Sequence, residues 1–231
     1  MTPTHQVDPE RPAPSVSPAA VPAAPAPPVD PGDLRRVLDA RHHDPHSVLG
    51  PHPGADGNDG VVVRVLRPWA ERVVVVAEGH RYELPHEAEG LFSGVLPIEK
   101  VPDYRLEVTY EGTVVASDDP YRFLPTLGEF DLHLIAEGRH EQLWTVLGAH
   151  VRTCDTPGEP VSGTTFAVWA PNAQGVRLVG DFNYWDGTAH PMRSLGSSGV
   201  WELFVPDVGN GTKYKYEITG RDGHLRQKAD P

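Results

Sequence analysis

The chain has little cysteine, fewer basic than acidic residues, and no long apolar run. Cys154 is the one cysteine in 231 residues, so no disulfide can form within the chain and a reducing compartment, the cytoplasm, is predicted. No apolar run approaches the roughly 18 residues that a membrane-spanning helix needs. Prolines also interrupt every short apolar run before residue 32, so we expect neither a membrane segment nor a signal peptide.

Basic side chains are outnumbered, with 20 lysines and arginines against 32 aspartates and glutamates and a formal net charge of −12. Nucleic acids and anionic membranes both require a basic surface, so neither is expected as a partner. A neutral polar ligand such as a sugar is compatible with this charge. The sequence also lacks a phosphate-binding loop, a nucleophile elbow and a zinc signature. We therefore predict no catalytic residues, no cofactor and no metal site in this chain.

Histidine is locally abundant, with four close together in a segment rich in proline: His42, His43, His46 and His52. A metal site needs convergent ligands, and no acidic or thiol ligand recurs here at a fixed spacing. We interpret these histidines as structural or polar. The acidic residues Asp118 and Asp119 are interpreted as solvated turn residues, in keeping with the overall charge.

Proline and glycine are plentiful, at 25 and 23 residues, which favours turns and short strands. Ten of the prolines fall in residues 1–32, where valine is the one large apolar residue type, so this segment is predicted to be a disordered tail. Asp30 then offers an N-cap and Pro31 a first helical position. Leu34 and Val37 follow at helical spacing.

Short runs of strand-forming residues at intervals of roughly 8–12 residues predict β-sandwiches. The mainly β fold that we expect is two tandem immunoglobulin-like β-sandwiches, at residues 33–127 and 151–231, with a helical connector at 128–150. In the first sandwich the predicted strands are Val61–Leu66, Val73–Ala77, Leu91–Leu96, Tyr104–Tyr110 and Val114–Ser117. In the connector, Asp131–Ile135 and Glu141–Leu147 are predicted to be helical, with Gly148 as a C-cap. Trp144 is predicted to pack between the domains.

The two halves of the chain match each other. At an offset of 98, Asp33-Leu34 matches Asp131-Leu132 and Val48-Leu49-Gly50 matches Val146-Leu147-Gly148; near 110, Asp119-Pro120 matches Asp230-Pro231. A period near 100 residues indicates tandem domains, because solenoid repeats are far shorter. The copies differ where the second reads GDFNYWDG and the first reads AEGHRYEL.

Aromatic residues therefore crowd one loop of the second copy, Gly180–Gly187. An exposed ring with hydrogen-bonding groups beside it suits the face and rim of a sugar. Trp185 is the candidate ring, either facing a ligand or packed on the protein itself, with Asn183 at its edge and Lys215 on a neighbouring strand. Phe182 and Trp169 are predicted to be core residues instead.

Four stretches carry a family resemblance: HHDPHSVLGPHP (His42–Pro53), YRFLPTLGEFDLHLIAEGRH (Tyr121–His140), FAVWAPNAQGVRLVGDFNYWDG (Phe166–Gly187) and the terminal KADP. Together they resemble the N-terminal part of bacterial glycogen branching enzymes, over residues ~33–231. The third stretch is shared with family 48 carbohydrate-binding modules, which bind starch and glycogen.

The resemblance implies a 1,4-α-glucan branching enzyme, a transferase of glycogen biosynthesis that needs no cofactor. In such enzymes the catalytic residues lie in a (β/α)₈ barrel after the second module, and no residue here matches them. We expect the chain to be non-catalytic, to bind or position α-glucan, and to pack on that barrel. The matched binding residues are Trp185 and Lys215, whereas Leu225 replaces a second stacking tryptophan. The alternative is a stand-alone glucan-binding or interaction module.

Overall fold

The first β-sandwich is built from nine strands. In the computed structural model, which describes residues 19–54 and 60–230, they form sheets of order β1-β5-β4-β8-β9 and β2-β3-β7-β6. Inward-facing valines, leucines and aromatics fill the space between these sheets. The strands are β1 (Val21–Pro22), β2 (Gly50–Pro53), β3 (Val61–Leu66), β4 (Arg72–Ala77), β5 (His80–Leu84), β6 (His86–Ala88), β7 (Leu91–Leu96), β8 (Tyr104–Tyr110) and β9 (Thr113–Ser117).

The second sandwich has sheets of order β10-β11-β14-β13 and β12-β15-β16 around a core that includes Phe166, Leu178 and Tyr216. Its strands are β10 (Gly148–Cys154), β11 (Val161–Trp169), β12 (Gly175–Gly180), β13 (Arg193–Ser194), β14 (Val200–Pro206), β15 (Tyr214–Thr219) and β16 (Leu225–Lys228). The prediction of a mainly β chain with two tandem sandwiches is confirmed. The domain limits drawn from the sequence stay predictions.

Two short helices precede the sandwiches, α1 (Pro31–Leu38) and α2 (Glu129–Ala136). Asp30 caps α1 as predicted, because its carboxylate accepts hydrogen bonds from the backbone N–H groups of Gly32 at 2.9 Å and Asp33 at 3.0 Å. The helix predicted at Glu141–Leu147 is wrong. Only a 3₁₀ turn, Leu143–Thr145, forms there, and Gly148 opens a strand with a φ of 95°.

The internal repeat is present in the structure. Helices α1 and α2 begin 98 residues apart, as do the 3₁₀ turns Pro45–Ser47 and Leu143–Thr145 that lead into β2 and β10. We call residues 31–49 the first lead-in and residues 129–147 the second lead-in. Each is a helix, a loop and a 3₁₀ turn, so the sequence match reflects a shared local structure.

The first lead-in lies against the second sandwich. Val37, Val48 and Leu49 belong to the same buried cluster as Phe166 and Tyr216. The backbone approach is so close at Gly175 that an added Cβ would stand 2.1 Å from the carbonyl oxygen of Ala40. The first lead-in therefore fixes the two sandwiches against each other.

The predicted tail extends too far along the chain. Residues Val21–Pro22 pair in parallel with β5, and the N–H of Ala23 donates to the carbonyl of Glu83 at 2.8 Å. Ala23 is buried in the core of the first sandwich. Strand pairing and this one small apolar side chain hold the segment from residue 19 onwards, which composition alone did not reveal. Residues 1–18 of the predicted tail lie outside the described residues.

Within the described ranges, no helix is both long enough and apolar enough to cross a membrane.

Candidate functional site

The aromatic loop follows β12 and consists of residues 181–189, in two 3₁₀ turns, Asp181–Asn183 and Gly187–Ala189. Glycine is required where the loop leaves the sheet. A Cβ on Gly180 would stand 2.5 Å from the carbonyl oxygen of Lys213, on the adjoining end of β15. The loop is therefore held tightly against the end of the three-stranded sheet.

Two consecutive aromatic residues of this loop have left-handed backbones. Tyr184 has a φ of 54° and Trp185 a φ of 63°, a conformation that costs a non-glycine residue about 1–2 kcal/mol. Surrounding hydrogen bonds impose it: the Trp185 N–H donates to Gly180 and the Asp186 N–H to Asn183, both at 3.0 Å. Backbone strain of this kind concentrates at functional sites, which makes the loop a candidate site.

The side chain of Asn183 braces the loop from inside. Its Oδ1 accepts the Gly180 N–H at 2.9 Å, and its Nδ2 donates to the carbonyl of Leu178 at 2.9 Å and lies 3.1 Å from His190 Nδ1. Both ends of the amide are thus engaged within the protein. The structure places Asn183 beside the predicted site but gives it a positioning part there, rather than a free group for a ligand.

His190 is buried behind this brace. Desolvation, helped by the nearby Arg67 guanidinium and opposed by Asp186, lowers its pKa to about 3. The ring is therefore neutral near pH 7, and its Nδ1 can accept the hydrogen bond from Asn183. The support of the aromatic loop thus depends on an uncharged histidine.

Trp185 is 40% exposed and pinned at its nitrogen. Its indole Nε1 donates to Asp181 Oδ1 at 3.2 Å, while Oδ2 of the same carboxylate accepts the Lys213 N–H at 3.2 Å. This arrangement holds the ring at the end of the sheet where β12 ends and β15 begins. Lys215 is exposed on β15, directly opposite Val179 of β12. The predicted pair therefore lies on two adjacent elements at the same end of one sheet.

Asp186 connects the loop to the other sandwich. Its Oδ1 accepts from the backbone N–H and hydroxyl of Thr188, and its Oδ2 accepts from the indole Nε1 of Trp69 at 3.0 Å. Burial raises the pKa of Asp186, but these hydrogen bonds outweigh it and leave the pKa below its ordinary value. The sequence analysis missed Trp69. Its signal was an aromatic directly after Pro68, in a turn where large apolar residues are unusual.

Several predicted side-chain environments are corrected. Trp169 is 57% exposed and Trp144 is 71% exposed, so neither is a core residue. Asp119 is fully buried instead of solvated, since its carboxylate accepts from the hydroxyl of Tyr104 and the N–H of Tyr121. Asp118 is also buried, beside Arg122. Phe182 packs on the core as predicted, from a 3₁₀ turn rather than a strand.

The four clustered histidines make different contacts and do not converge on one point. His42 lies 3.4 Å from the Asp33 carboxylate, and His43 stacks on Trp201. His46 is partly exposed, but both of its ring nitrogens are buried, and desolvation is the main cause that lowers its pKa to about 3. In the described part of the chain, no group of three or more potential ligands could hold a metal ion.

Comparison with known proteins assigns both sandwiches. Residues 146–231 match carbohydrate-binding module 48, the isoamylase N-terminal domain, so the second sandwich is a family 48 carbohydrate-binding module. Residues 30–121 match the N-terminal domain of the alpha-1,4-glucan branching enzyme GlgB. Because it carries both domains in this order, the chain belongs to the 1,4-alpha-glucan branching enzyme family and corresponds to the N-terminal region of its members.

Curated relatives agree with this assignment. The 1,4-alpha-glucan branching enzyme GlgB 2 of Streptomyces coelicolor is 60% identical over 217 residues, which are 94% of this chain and 28% of the relative. GlgB of Thermobifida fusca is 62% identical over 201 residues, 86% of this chain and 26% of the relative. The chain thus spans about a quarter of the length of these relatives.

Among solved structures, apo pullulanase from Klebsiella pneumoniae is similar over 73% of this chain and 21% of its own, at 19% identity and a TM-score of 0.31. That score is too low to relate the two molecules as wholes.

Proposed function

We propose that this chain is the non-catalytic N-terminal part of a 1,4-alpha-glucan branching enzyme, and that its second sandwich binds α-glucan at Trp185 and Lys215. The parent enzyme would be a transferase that forms α-1,6 branches in glycogen. The observation that carries the proposal is the strained, braced loop that leaves Trp185 40% exposed, at the end of the sheet where Lys215 lies, within a carbohydrate-binding module. Pinning at the nitrogen leaves part of the ring free for the C–H face of a sugar.

The chemistry of the loop suits a neutral polymer. A tryptophan of ~200 Å², half covered by a sugar at ~25 cal/mol per Å², contributes about 2–3 kcal/mol before association costs. One such site binds in roughly the millimolar range. Glycogen offers many equivalent chain ends, so retention on the polymer would exceed binding of a single short chain.

Affinity electrophoresis in native gels with increasing glycogen tests this function. The chain should be retarded by glycogen, and Trp185→Ala should weaken retardation about tenfold, equivalent to about 1.4 kcal/mol. Lys215→Ala should weaken it less. Trp144→Ala, which removes another exposed tryptophan on the second lead-in, serves as the matched control and should migrate like the parent chain. Unchanged mobility of the parent chain with and without glycogen would refute the proposal.

The second lead-in supports the proposed packing on a catalytic barrel. It exposes Phe130, Leu143 and Trp144, whereas the first lead-in has the second sandwich over it. We propose that the barrel of the parent enzyme covers this apolar face, as the second sandwich covers the first lead-in. Large apolar side chains left exposed are typical of such an interface.

A further inference from the structure

Trp69 stands at the junction of the two sandwiches with most of its ring in solvent. It lies in the turn between β3 and β4 of the first sandwich and is 76% exposed. Its indole nitrogen nevertheless donates to Asp186, which directly follows Trp185 in the second sandwich. A tryptophan exposed to this extent contributes little to either core, so its fixed position calls for another explanation.

The turn that carries Trp69 is rigid. The Ala70 N–H closes it by donating to the carbonyl of Arg67 at 3.1 Å, and the Arg67 N–H donates to the carbonyl of Gly90 at 2.8 Å. Gly90 lies so close beneath that an added Cβ would stand 2.4 Å from the Cα of Pro68. The ring is thus held by its backbone at one end and by the Asp186 carboxylate at the other, and it needs little ordering when it binds.

Tyr184 extends the exposed aromatic surface. It is 95% exposed, and the strained backbone of the loop directs it away from the core of its own domain. Burial raises the pKa of Tyr110 in the first sandwich; Arg67 lowers this pKa and the Tyr184 phenol raises it further. Tyr184 also stands two residues before Asp186, the partner of Trp69, so its ring projects from the loop that meets the first sandwich.

We propose that Trp69, Tyr184 and Trp185 form one composite surface, which binds an α-glucan chain across the junction of the two sandwiches. This inference rests on the proposed function and extends it to the first domain. Trp69 supplies the second ring that the module itself lacks at Leu225. Asp186 is a positioning residue, because both of its carboxylate oxygens are engaged, one with Thr188 and one with Trp69.

A composite surface makes binding depend on the length of the glucan. Maltotriose covers Trp185 without reaching far beyond it, whereas maltoheptaose can contact the rings of both domains. Trp69→Ala should therefore weaken binding of maltoheptaose about tenfold and change binding of maltotriose less than about twofold, a tenfold change being about 1.4 kcal/mol. Trp69→Phe keeps a ring but removes the donor to Asp186. Its affinity for maltoheptaose should fall between that of the parent chain and that of Trp69→Ala.

Titration calorimetry with both oligosaccharides and gel retardation by glycogen give the readout, with thermal midpoints as a check on folding. Trp169→Ala is the matched control, because this tryptophan is also exposed but lies away from the aromatic loop. Trp169 precedes the start of β12, whereas the aromatic loop follows the end of β12. Loss of affinity in Trp69→Ala but not in Trp169→Ala supports the composite surface. If Trp185→Ala weakens binding and Trp69→Ala does not, the composite surface is refuted and the proposed function stands. No binding by the parent chain would refute both.

Discussion

Each sandwich is preceded by a lead-in with the same internal hydrogen bonds. His42 Nε2 lies 3.4 Å from Asp33, and His140 Nε2 lies 3.1 Å from Asp131, a carboxylate on the helix in both cases. Nδ1 of each histidine also accepts a hydrogen bond from the backbone N–H of the residue two positions later in the chain. These hydrogen bonds are local and recur in both copies, and each lead-in also packs on the second sandwich, through different residues of that sandwich.

The surroundings of the two lead-ins differ. The second sandwich covers the first lead-in, with the carbonyl of His43 accepting the Ser194 N–H at 2.7 Å, whereas Trp144 of the second lead-in is exposed. The aromatic loop occurs in the second copy alone. The second copy thus exposes large apolar side chains on its lead-in and aromatic side chains on its loop. Four predictions separate what the copies share from what distinguishes them.

The largest effect is expected at Arg193, a feature of the second copy. Its guanidinium pairs at 2.9 Å with the fully buried Glu202 and donates to the carbonyl of Phe123 at 3.1 Å. Arg193→Met would leave the buried Glu202 carboxylate without its cation, at a cost of about 3–5 kcal/mol. Urea denaturation at pH 7 measures the loss.

In the first copy, Ser93 matches Glu202, the partner of Arg193, at an offset of 109; Ser93 is also buried but has no charge. Ser93→Ala should cost about 1 kcal/mol, within the ordinary range for a neutral hydrogen bond. If Arg193→Met and Ser93→Ala lowered the free energy of unfolding equally, the buried ion pair would not stabilise the second copy more than a neutral hydrogen bond stabilises the first.

Mild acid should destabilise the chain through His46 and His190, neither of which has a histidine at the matching place in the other copy. Both have folded pKa values lowered to about 3, against about 6.5 in an unfolded chain. Above pH 6.5 both states are neutral. As the pH falls below 6.5, the unfolded chain binds protons that the folded chain excludes, so the free energy of unfolding falls, by about 2 kcal/mol per histidine at pH 5.

Denaturation of the parent chain, His46→Gln and His190→Gln at pH 7 and pH 5 isolates these contributions from those of the carboxylates. Each variant should lose less stability between the two pH values than the parent does. His133→Gln, at an exposed position on α2, is the control and should follow the parent. Identical losses in all four proteins would contradict the burial of neutral histidines.

The sequence predicted the sandwiches because valine-rich runs and turn residues determine strands locally, as at Val61–Leu66, which is a strand with those bounds. It also singled out Trp185, which the structure leaves 40% exposed; its role in binding stays a prediction. It could not reveal the contact between Trp69 and Asp186, since those residues are 117 positions apart and are joined by tertiary packing alone. Trp144 was misplaced for the same reason: aromatic residues are usually buried, and only the arrangement of domains shows which ones are not.

A smaller effect distinguishes two matched tyrosines. The hydroxyl of Tyr104 donates to Asp119 at 2.7 Å, and that of Tyr214 donates to Asp230, so both copies join a strand tyrosine to the aspartate of an Asp-Pro pair. Tyr104 and Asp119 are buried, whereas Tyr214 is only half buried. Tyr104→Phe should cost about 1–3 kcal/mol and Tyr214→Phe about 0.5–1 kcal/mol, because water can replace the lost partner only at the second site. Thermal and urea midpoints rank them, and the reverse order would contradict the stated burial.

The smallest effect is expected at Trp144, which matches the partly buried His46 at the offset of 98. Removing an exposed side chain alters the folded chain little, so Trp144→Ser should change the free energy of unfolding by less than about 0.5 kcal/mol. His46→Ser empties a packed position and should cost about 1–3 kcal/mol at pH 7. A large loss in Trp144→Ser would mean that this ring already packs within the chain. It would then be unavailable to a barrel, and the proposed interface would have to lie elsewhere.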